Sequence, residues 1–371
     1  MSRDDATSRS EEAELVRAVD EMVAAVYPED AAQRFADDPV PVRAAWARLG
    51  GELDLIGLHL PTELGGQGQS FAVHAAVAAA LGRRLTPAPH LPVLGSALTL
   101  LAHGGTPAQR ERWLPEVVAG RLVVAVAGLD HAWDTAYASP LVVDLTGDAC
   151  VVDGTTDPVV QGGDADLLLL VVQGQVLAVD PTAPGVHATP LETLDLTRPR
   201  VTFRLESVPA EPLGAVTPEL LERTLLEATA LLAAESAAAA RTCLERTVEY
   251  ATVRTQFDRP IGSFQAVQHA LADLFGEVSA AEAAVGVAVD ALASDDASAA
   301  AVADAVRVAK VAASEAFCRA SRDAIHLHGG IGFTWEHTAH LFYRRALTDR
   351  PLLGAPTLHR RALARALVVS A

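Results

Sequence analysis

From residue 12 to about residue 120, apolar residues recur at three- and four-residue steps. This spacing predicts helices with one apolar face, because residues three and four apart lie on the same side of a helix. Two stretches rich in Gly or Pro interrupt the pattern, at residues 60–68 and 85–89. We expect both to be loops between helices.

The pattern changes between residues 122 and 208. Short runs rich in Val and Leu are separated there by Gly, Asp, Pro and Thr; they lie at residues 122–126, 141–145, 167–172, 176–179 and 201–205. Apolar runs of this length between turn residues predict β-strands. We therefore expect a small, mainly antiparallel sheet in the middle of the chain.

Helical periodicity returns after Thr217-Pro218, a pair typical of a helix start. The pattern predicts long helices at residues 218–253, 265–293 and 297–327, and a shorter one at residues 356–368. Asp295 and Asp296 can cap the third helix, and Gly329-Gly330 can end it. Long helices joined by short loops form antiparallel bundles. The sequence thus predicts an α+β fold with an N-terminal helical domain (1–121), a central antiparallel β domain (122–212) and a C-terminal four-helix bundle (213–371).

Composition narrows the possible partners. The 371 residues carry 29 basic and 47 acidic side chains, a formal charge of −18, so a nucleic-acid or anionic-membrane surface is not expected. The three cysteines are far apart, with no metal-like spacing. The polar N-terminus does not resemble a secretory signal, and no apolar run is long enough to span a membrane. We expect a cytoplasmic protein.

Three motifs carry a family resemblance. Residues 254–269 read RTQFDRPIGSFQAVQH, residues 326–334 read HLHGGIGFT, and residues 55–68 read LIGLHLPTELGGQG. They resemble, in turn, the R-x-x-F-G-x-x-I-x-x-x-Q loop, the Q-x-x-G-G-x-G-F segment and the glycine-rich N-terminal segment of acyl-CoA dehydrogenases. The order of elements agrees, so the resemblance covers nearly the whole chain.

The resemblance implies an FAD-dependent enzyme that dehydrogenates an acyl-CoA thioester and passes electrons to an acceptor. It also implies that the first two motifs bind a flavin held mainly by a neighbouring subunit, so that an oligomer is part of the function. An Arg at position 254 suits a pyrophosphate, and glycines allow the backbone to approach it closely. The residues that match the cofactor-binding motifs are Arg254, Gln256, Phe257, Phe264, Gln265, His326, His328, Gly329 and Gly330. The alternatives are that Arg254 and Phe257 are ordinary surface and core positions in a bundle loop and that the two histidines are structural.

The central region departs from the family pattern. Where relatives have T-E-P-x-x-G-S-D, residues 127–134 read AGLDHAWD, and the Thr, Glu, Pro and Gly-Ser pair are absent. Where relatives have an aromatic residue and a hydroxyl that contact the flavin ring, this chain has Pro158 and Val160. Val160 offers no side-chain hydrogen bond. A flavin held by this chain would therefore lose polar contacts.

The proton-accepting base is also missing at the family positions. Counting from the G-G-x-G-F segment places the usual glutamate at Leu353, and the alternative position used by some relatives falls on Ala228. Glu227 is adjacent, but one residue turns a side chain by about 100° on a helix. Glu227 is thus a weak candidate base, and the alternative is an exposed helical glutamate. Glu336 and Asp349 are carboxylates away from the base positions.

A basic patch near the C-terminus has two interpretations. Arg344-Arg345 and His359-Arg360-Arg361 stand out in an acidic chain. They either form ion pairs with acidic helices or contact the phosphates of coenzyme A or a partner subunit.

Two functions follow from the resemblance. One is a subunit without its own base that completes the FAD site of a homologous partner in a mixed tetramer; some bacterial relatives that oxidise bulky acyl-CoA side chains, including those of steroids, are built this way. The other is a catalytically competent homotetramer that uses Glu227. A scaffold without a flavin role would leave Arg254, Phe257 and the double glycine unexplained.

Overall fold

A computed structural model describes residues 3–37, 43–130, 133, 138–146, 149–294 and 296–369. The N-terminal part is helical. Its helices are α1 (Arg3–Val26), α2 (Ala31–Asp37), α3 (Arg43–Gly51), α4 (Phe71–Arg83), α5 (His90–Pro92) and α6 (Pro107–Val118). Two π-helical turns, Val93–Ala97 and Leu100–Gly104, extend α5 into one buried segment. The predicted loops at 60–68 and 85–89 lie on either side of α4, and the first contains a short 3-10 turn, Thr62–Leu64.

The middle of the chain forms the predicted sheet. Its strands are β1 (Val124–Ala127), β2 (Val142–Thr146), β3 (Ala149–Thr155), β4 (Val159–Val160), β5 (Leu167–Val172), β6 (Gln175–Val179), β7 (Val186–Leu191) and β8 (Arg200–Pro212). The long strand β8 pairs antiparallel with β3, β4, β6 and β7. The pair of β1 with β5 is parallel, which is possible because 39 residues or so separate the two strands and allow a crossover.

The C-terminal part is a bundle of α7 (Pro218–Val253), α8 (Gln265–Ala293), α9 (Ala299–His328), α10 (Ala339–Asp349) and α11 (Pro356–Val369). Thr217 caps α7 as predicted, since its hydroxyl accepts a hydrogen bond from the Leu220 amide (3.2 Å). A small hairpin of β9 (Thr255–Gln256) and β10 (Arg259–Pro260) separates α7 from α8. Small residues allow α4 and α7 to approach closely: a Cβ on Gly82 would lie 2.5 Å from the Glu235 carbonyl oxygen.

The α+β fold class and the mainly antiparallel sheet are confirmed, and the predicted cap of the third long helix needs correction. Helix α9 is capped by Ser298, whose hydroxyl accepts a hydrogen bond from the Ala301 amide (3.2 Å), and not by Asp296; Asp295 lies outside the described residues. Helix α10 was not predicted, although Ala339, Leu341, Phe342 and Ala346 give it a buried apolar face. The sheet contains one parallel pair. Whether the three regions are separate domains stays a prediction.

Within the described part of the chain, no helix has both the length and the apolar character that crossing a membrane requires.

Candidate functional site

Two motifs that are 75 residues or so apart in the sequence lie side by side in the fold. Arg254 follows the last residue of α7, and Gly329 follows the last residue of α9. Tyr250, one turn before Arg254, stacks its ring on that of His328 with 4.3 Å between the ring centroids. Its hydroxyl also donates a hydrogen bond to the His328 carbonyl oxygen (3.3 Å). We call residues 254–265 together with residues 326–330 the loop pair.

Most of the loop pair faces solvent. Phe257 is 87% exposed, and Arg254, Gln256, Gln265 and His326 are exposed as well. Within the described ranges, no carboxylate or carbonyl group pairs with the Arg254 guanidinium. The alternative of a core position for Phe257 is therefore excluded, and a free guanidinium is available to an external anion.

The β9–β10 hairpin exposes the Phe257 ring in a backbone conformation of higher free energy, with a positive φ. Phe257 and Asp258 join β9 to β10 with φ values of 52° and 60°, as a two-residue hairpin turn of this type requires. Such values cost roughly 1–2 kcal/mol for a residue that is not Gly, Asn or Asp. The partly buried Phe264 supports the turn: its ring meets Phe257 edge-on at 6.2 Å, and the Arg259 guanidinium lies 4.0 Å above it.

Gly329 and Gly330 of the loop pair differ in whether this chain's own structure requires a glycine. Gly329 has a φ of 64°, a value that favours glycine. Gly330 has no such value, and a Cβ built on it would meet no atom within 4 Å. Nothing in the described part of this chain therefore requires glycine at position 330. A cradle that must stay open to an external group would require it.

His328 needs correction as a cofactor-binding candidate. Its side chain is 5% exposed, it lies between Tyr250 and His337, and its Nδ1 donates to the Ala324 carbonyl oxygen (2.7 Å). Burial lowers the pKa of the ring, so it is neutral at neutral pH. His328 supports the loop pair from inside the bundle and does not reach its exposed face.

The two positions where the sequence placed a base lie in one apolar cluster. Leu353 from the segment before α11 and Ala228 from α7 are 3% and 1% exposed. They pack with Val160 and with Leu129, which follows β1. The other buried members of this apolar cluster are Leu91, Leu225, Leu232 and Leu352. None of these side chains can accept a proton.

Glu227 points away from the apolar cluster. Its carboxylate accepts hydrogen bonds from the Thr99 hydroxyl (2.5 Å) and from Arg223 Nε (2.7 Å). The side chain is buried at 4% exposure, so the interpretation as an exposed helical glutamate is wrong. As a base it would have to leave both partners, one of which is a buried hydroxyl on the π-helical segment.

The flavin-edge positions of the central sheet are used by the sheet itself. The Thr156 hydroxyl accepts a hydrogen bond from the Phe203 amide (3.0 Å), and the Thr156 amide donates to the Phe203 carbonyl oxygen (2.9 Å). Val160 is buried in the apolar cluster. Residues 131–132 and 134 of the altered T-E-P-like segment lie outside the described residues. The described residues at this position do not fit the polar edge of a flavin ring.

Sequence reasoning missed a fully buried ionic network between the sheet and the bundle. Arg198 donates to Glu235 (2.6 and 2.8 Å) and to Asp349 (2.6 Å). Arg345 donates to Glu235 (2.5 Å) and pairs with Asp195. All five side chains are at most 2% exposed. A glutamate in the Ala-rich, apolar run of α7 was the available signal, because a buried charge needs a partner.

Burial and pairing act in opposite directions on the carboxylates of this network. Burial opposes ionisation of Glu235, but Arg198, His90 and Arg345 hold its pKa well below the usual 4.5. Burial raises the pKa of Asp349 to about 6 in spite of Arg198. Lys310, also fully buried, donates to the Asp349 carbonyl oxygen (2.9 Å), and burial lowers its pKa to about 8.

The network fixes the segment that carries Leu353. Lys310 and Arg198 hold its start at Asp349, and His359 Nε2 donates to the Leu353 carbonyl oxygen at its end (2.9 Å). Leu353 has a φ of 53°, and a Cβ on the following Gly354 would lie 2.7 Å from His359 Nε2. The backbone at the base position is therefore defined, while its side chain is apolar.

Comparisons with known proteins agree with this geometry. The family models "Acyl-CoA dehydrogenase, N-terminal domain" and "Acyl-CoA dehydrogenase, C-terminal domain" match residues 9–121 and 219–368. The chain is 35% identical over 348 residues to the acyl-CoA dehydrogenase IpdE2 of Mycobacterium tuberculosis, across 93% of this chain and 94% of that protein. The chain belongs to the acyl-CoA dehydrogenase family. Acyl-CoA dehydrogenases are FAD-dependent oxidoreductases that act on the CH–CH group of acyl-CoA thioesters.

Two solved structures are similar over almost their whole length. The ChsE4-ChsE5 complex from Mycobacterium tuberculosis is 29% identical with a TM-score of 0.84, covering 96% of this chain and 97% of the other. The Tcur3481-Tcur3483 steroid ACAD variant is 29% identical with a TM-score of 0.85, covering 97% and 98%.

Proposed function

We propose that this acyl-CoA dehydrogenase chain is a subunit without its own catalytic base, which completes the FAD site of a homologous partner subunit. One observation carries the proposal. Leu353 and Ala228, the two base positions, are buried together in the apolar cluster. In contrast, Arg254, Phe257 and Gly330 of the loop pair are exposed. Within the described chain, Arg254 has no ion-pair partner and no neighbouring atom requires glycine at position 330.

The loop pair supplies contacts to the partner's cofactor. The Arg254 guanidinium can donate two parallel hydrogen bonds to a pyrophosphate. Gly329 and Gly330 leave room for the dinucleotide, and Phe257 offers an aromatic face beside it. Gln256, Phe264, Gln265 and His326 line the same loops. The stacked rings of Tyr250 and His328 keep the loops in register, so that these contacts need little reordering when a partner binds.

The reaction itself takes place in the partner. FAD bound there would supply the acceptor for the hydride that leaves the β-carbon of the acyl group. The accompanying α-proton needs a carboxylate within hydrogen-bond reach. In this chain that position is Leu353, so the partner's own base removes the proton. This subunit binds and orients the cofactor from across the interface.

The solved relatives support a two-component assembly. The ChsE4-ChsE5 complex has two named components, and the Tcur3481-Tcur3483 protein is described as a steroid ACAD. We infer that the partner is a homologous acyl-CoA dehydrogenase chain in a heterotetramer, and that the substrate is a bulky acyl-CoA such as that of a steroid side chain. Electrons then leave the partner's flavin for an acceptor protein.

The competing function is a homotetramer that uses Glu227 as its base. It requires Glu227 to leave Arg223 and Thr99 and to displace the apolar cluster from the base position. Under this alternative, Glu227→Gln would abolish turnover. Under the proposal, the same change in the assembled complex leaves turnover within about twofold.

Co-expression with a paralogue tests the proposal. The chain should purify without flavin when alone, and with one FAD per pair of chains when co-expressed with its partner. Arg254→Ala should reduce the bound flavin at least about tenfold in the complex, because charge-assisted hydrogen bonds to the pyrophosphate are lost. Arg48→Ala is the matched control, since Arg48 is exposed and its side chain pairs, within the described chain, only with Glu52, the residue that follows the end of α3. One FAD per chain with turnover of the chain alone would contradict the proposal.

A further inference from the structure

Large apolar side chains are exposed together beside the loop pair. Phe333 is 77% exposed and Trp335 is 53% exposed. Leu347 on α10 and Leu194 in the turn between β7 and β8 are exposed as well. These four side chains line one cleft of about 290 Å³. Exposed apolar patches of this kind mark surfaces that another molecule covers.

Trp335 is held in place by its neighbours. Its ring meets His340 edge-on with 4.6 Å between the ring centroids, and the Arg344 guanidinium lies 5.4 Å from its centroid. A side chain that is already ordered loses little conformational freedom when a partner packs against it. Trp335 is therefore suited to act as an anchor, a role that tryptophan often has in protein interfaces.

A second cleft continues this surface along α10. It has a volume of about 380 Å³, and Tyr343 and Leu347 line both clefts. Its far wall carries three guanidiniums, those of Arg319, Arg322 and Arg350. We call the two clefts together the α10 groove. The groove is aromatic at the end near the loop pair and basic at the end of α10.

The basic patch predicted near the C-terminus does not supply this charge. Arg345 belongs to the ionic network, Arg360 pairs with Glu315, and Arg344 donates to the Leu194 carbonyl oxygen (3.2 Å). These contacts support the ion-pair interpretation of the patch. Its arginines are used within the chain, so the charge of the groove comes from other residues.

Arg350 is the guanidinium of the groove that remains available. The other charged side chains of this wall have ion-pair partners within the chain: Glu277, Glu315, Arg319 and Arg322. Arg350 is exposed, and no carboxylate among the residues that the structure describes pairs with it. A free guanidinium at the end of an apolar groove suits a carboxylate from another chain, because charge-assisted hydrogen bonds are the stronger ones.

We propose that the α10 groove receives a segment of the homologous partner subunit, with apolar side chains against Phe333 and Trp335 and a carboxylate on Arg350. The inference rests on the proposed function, because it concerns the same partner. Ile325 on the groove wall directly precedes His326 of the loop pair, so the two surfaces are continuous. A subunit that places its flavin on the loop pair thus also covers the groove. The contact with Arg350 selects a partner that carries the matching carboxylate.

Titration of the full chain with the purified paralogue tests this inference through the dissociation constant of the complex. Phe333→Ser and Arg350→Glu should each raise that constant at least about tenfold. Arg350→Lys keeps the charge and should stay within about threefold. Leu367→Ser and Arg365→Glu are the matched controls at exposed positions of α11, and they should leave the constant unchanged.

The flavin content of the complex separates this inference from the proposed function. At concentrations that saturate the weakened association, Arg350→Glu should still give one FAD per pair of chains, whereas Arg254→Ala should lose flavin. Loss of flavin in the saturated Arg350→Glu complex would make Arg350 a cofactor contact and overturn the inference.

An unchanged dissociation constant for Phe333→Ser or Arg350→Glu, or an equal rise in the controls, would also overturn the inference and leave the subunit role intact. Failure of the unaltered chain to bind the paralogue would overturn both. Thermal unfolding of all these variants at the groove and on α11 should match that of the unaltered chain, since the substituted residues are exposed.

Discussion

The loop pair belongs to the C-terminal bundle, whereas the apolar cluster lies where the bundle meets the central sheet, and the two differ in what they bury. In the loop pair Phe257 is exposed to solvent with a positive φ, and the Arg254 guanidinium has no partner among the residues that the structure describes. The apolar cluster buries every side chain, including the two at positions where a carboxylate would act. The first arrangement costs the isolated chain stability, and the second stabilises it. This difference is what the proposed subunit role requires, because the loop pair is open to a partner while the two base positions are packed in core.

The largest effect is expected at the centre of the apolar cluster. Leu353→Glu would bury a carboxylate without a partner, and we expect it to lower the free energy of unfolding by about 3–5 kcal/mol. Urea unfolding of the isolated chain measures this. The matched control is Leu347→Glu at 38% exposure on α10, with an expected change of at most about 0.5 kcal/mol. A stable Leu353→Glu variant with turnover alone would show that the pocket is open after all.

A comparable loss is expected from the ionic network beside the cluster. Arg198→Met would remove the ion-pair partner of the Asp349 carboxylate and one of the two arginines that pair with Glu235. Breaking a buried ion pair in this way typically lowers the free energy of unfolding by about 3–5 kcal/mol. Arg121→Met removes an exposed ion pair with Glu116 and should leave the midpoint of thermal unfolding unchanged. Equal midpoints for the two variants would mean that the network does not stabilise the junction of sheet and bundle.

The pH dependence of the free energy of unfolding should show the raised pKa of Asp349. Its folded pKa, about 6, lies above the ordinary 3.8, so between these values the folded state holds a proton that the unfolded state has lost. Stability from this group is present below pH 3.8 and is lost as the pH rises through 6. Asp349→Asn should therefore gain stability relative to the unaltered chain between pH 4 and 7, on the order of 1–3 kcal/mol. A difference between the two proteins that does not vary with pH would show that burial does not raise this pKa.

The smallest expected change in the free energy of unfolding is at Phe257 in the loop pair, where stability and flavin binding should change in opposite directions. Phe257→Asn puts a residue that tolerates positive φ at the hairpin turn, and should stabilise the isolated chain by about 0.5–1 kcal/mol. The same change removes the aromatic face, so the complex should retain less flavin. A gain in stability without any loss of flavin would remove Phe257 from the cofactor contacts.

The sequence predicted the elements whose signals are local. The cap at Thr217, the ends of α7 and α8 and the positions of β1, β2, β5, β6 and part of β8 follow from neighbouring residues. The short or polar strands β3, β4 and β7 were not predicted. The family motifs identified the loop pair. Counting along the chain also placed Leu353 and Ala228 at the two family positions of the base. In the fold, both side chains lie in the apolar cluster.

What the sequence did not reveal depends on contacts between distant residues. Glu235 pairs with Arg198, which lies 37 residues before it, and with Arg345, which lies 110 residues after it. Single charges along a chain do not indicate such pairing. Glu227 can be buried because the Thr99 hydroxyl and Arg223 donate hydrogen bonds to its carboxylate. His328 is buried because its ring packs between those of Tyr250 and His337. The parallel pairing of β1 with β5 is equally a matter of topology and not of strand composition.

The central claim is that this chain contributes to a flavin site and does not own one. Flavin absorbance against protein concentration, measured on the chain purified alone and again on the complex with its paralogue, tests it most directly. We expect a colourless protein in the first sample and half an FAD per polypeptide in the second. A yellow, fully loaded chain on its own, reduced by an acyl-CoA thioester, would contradict it.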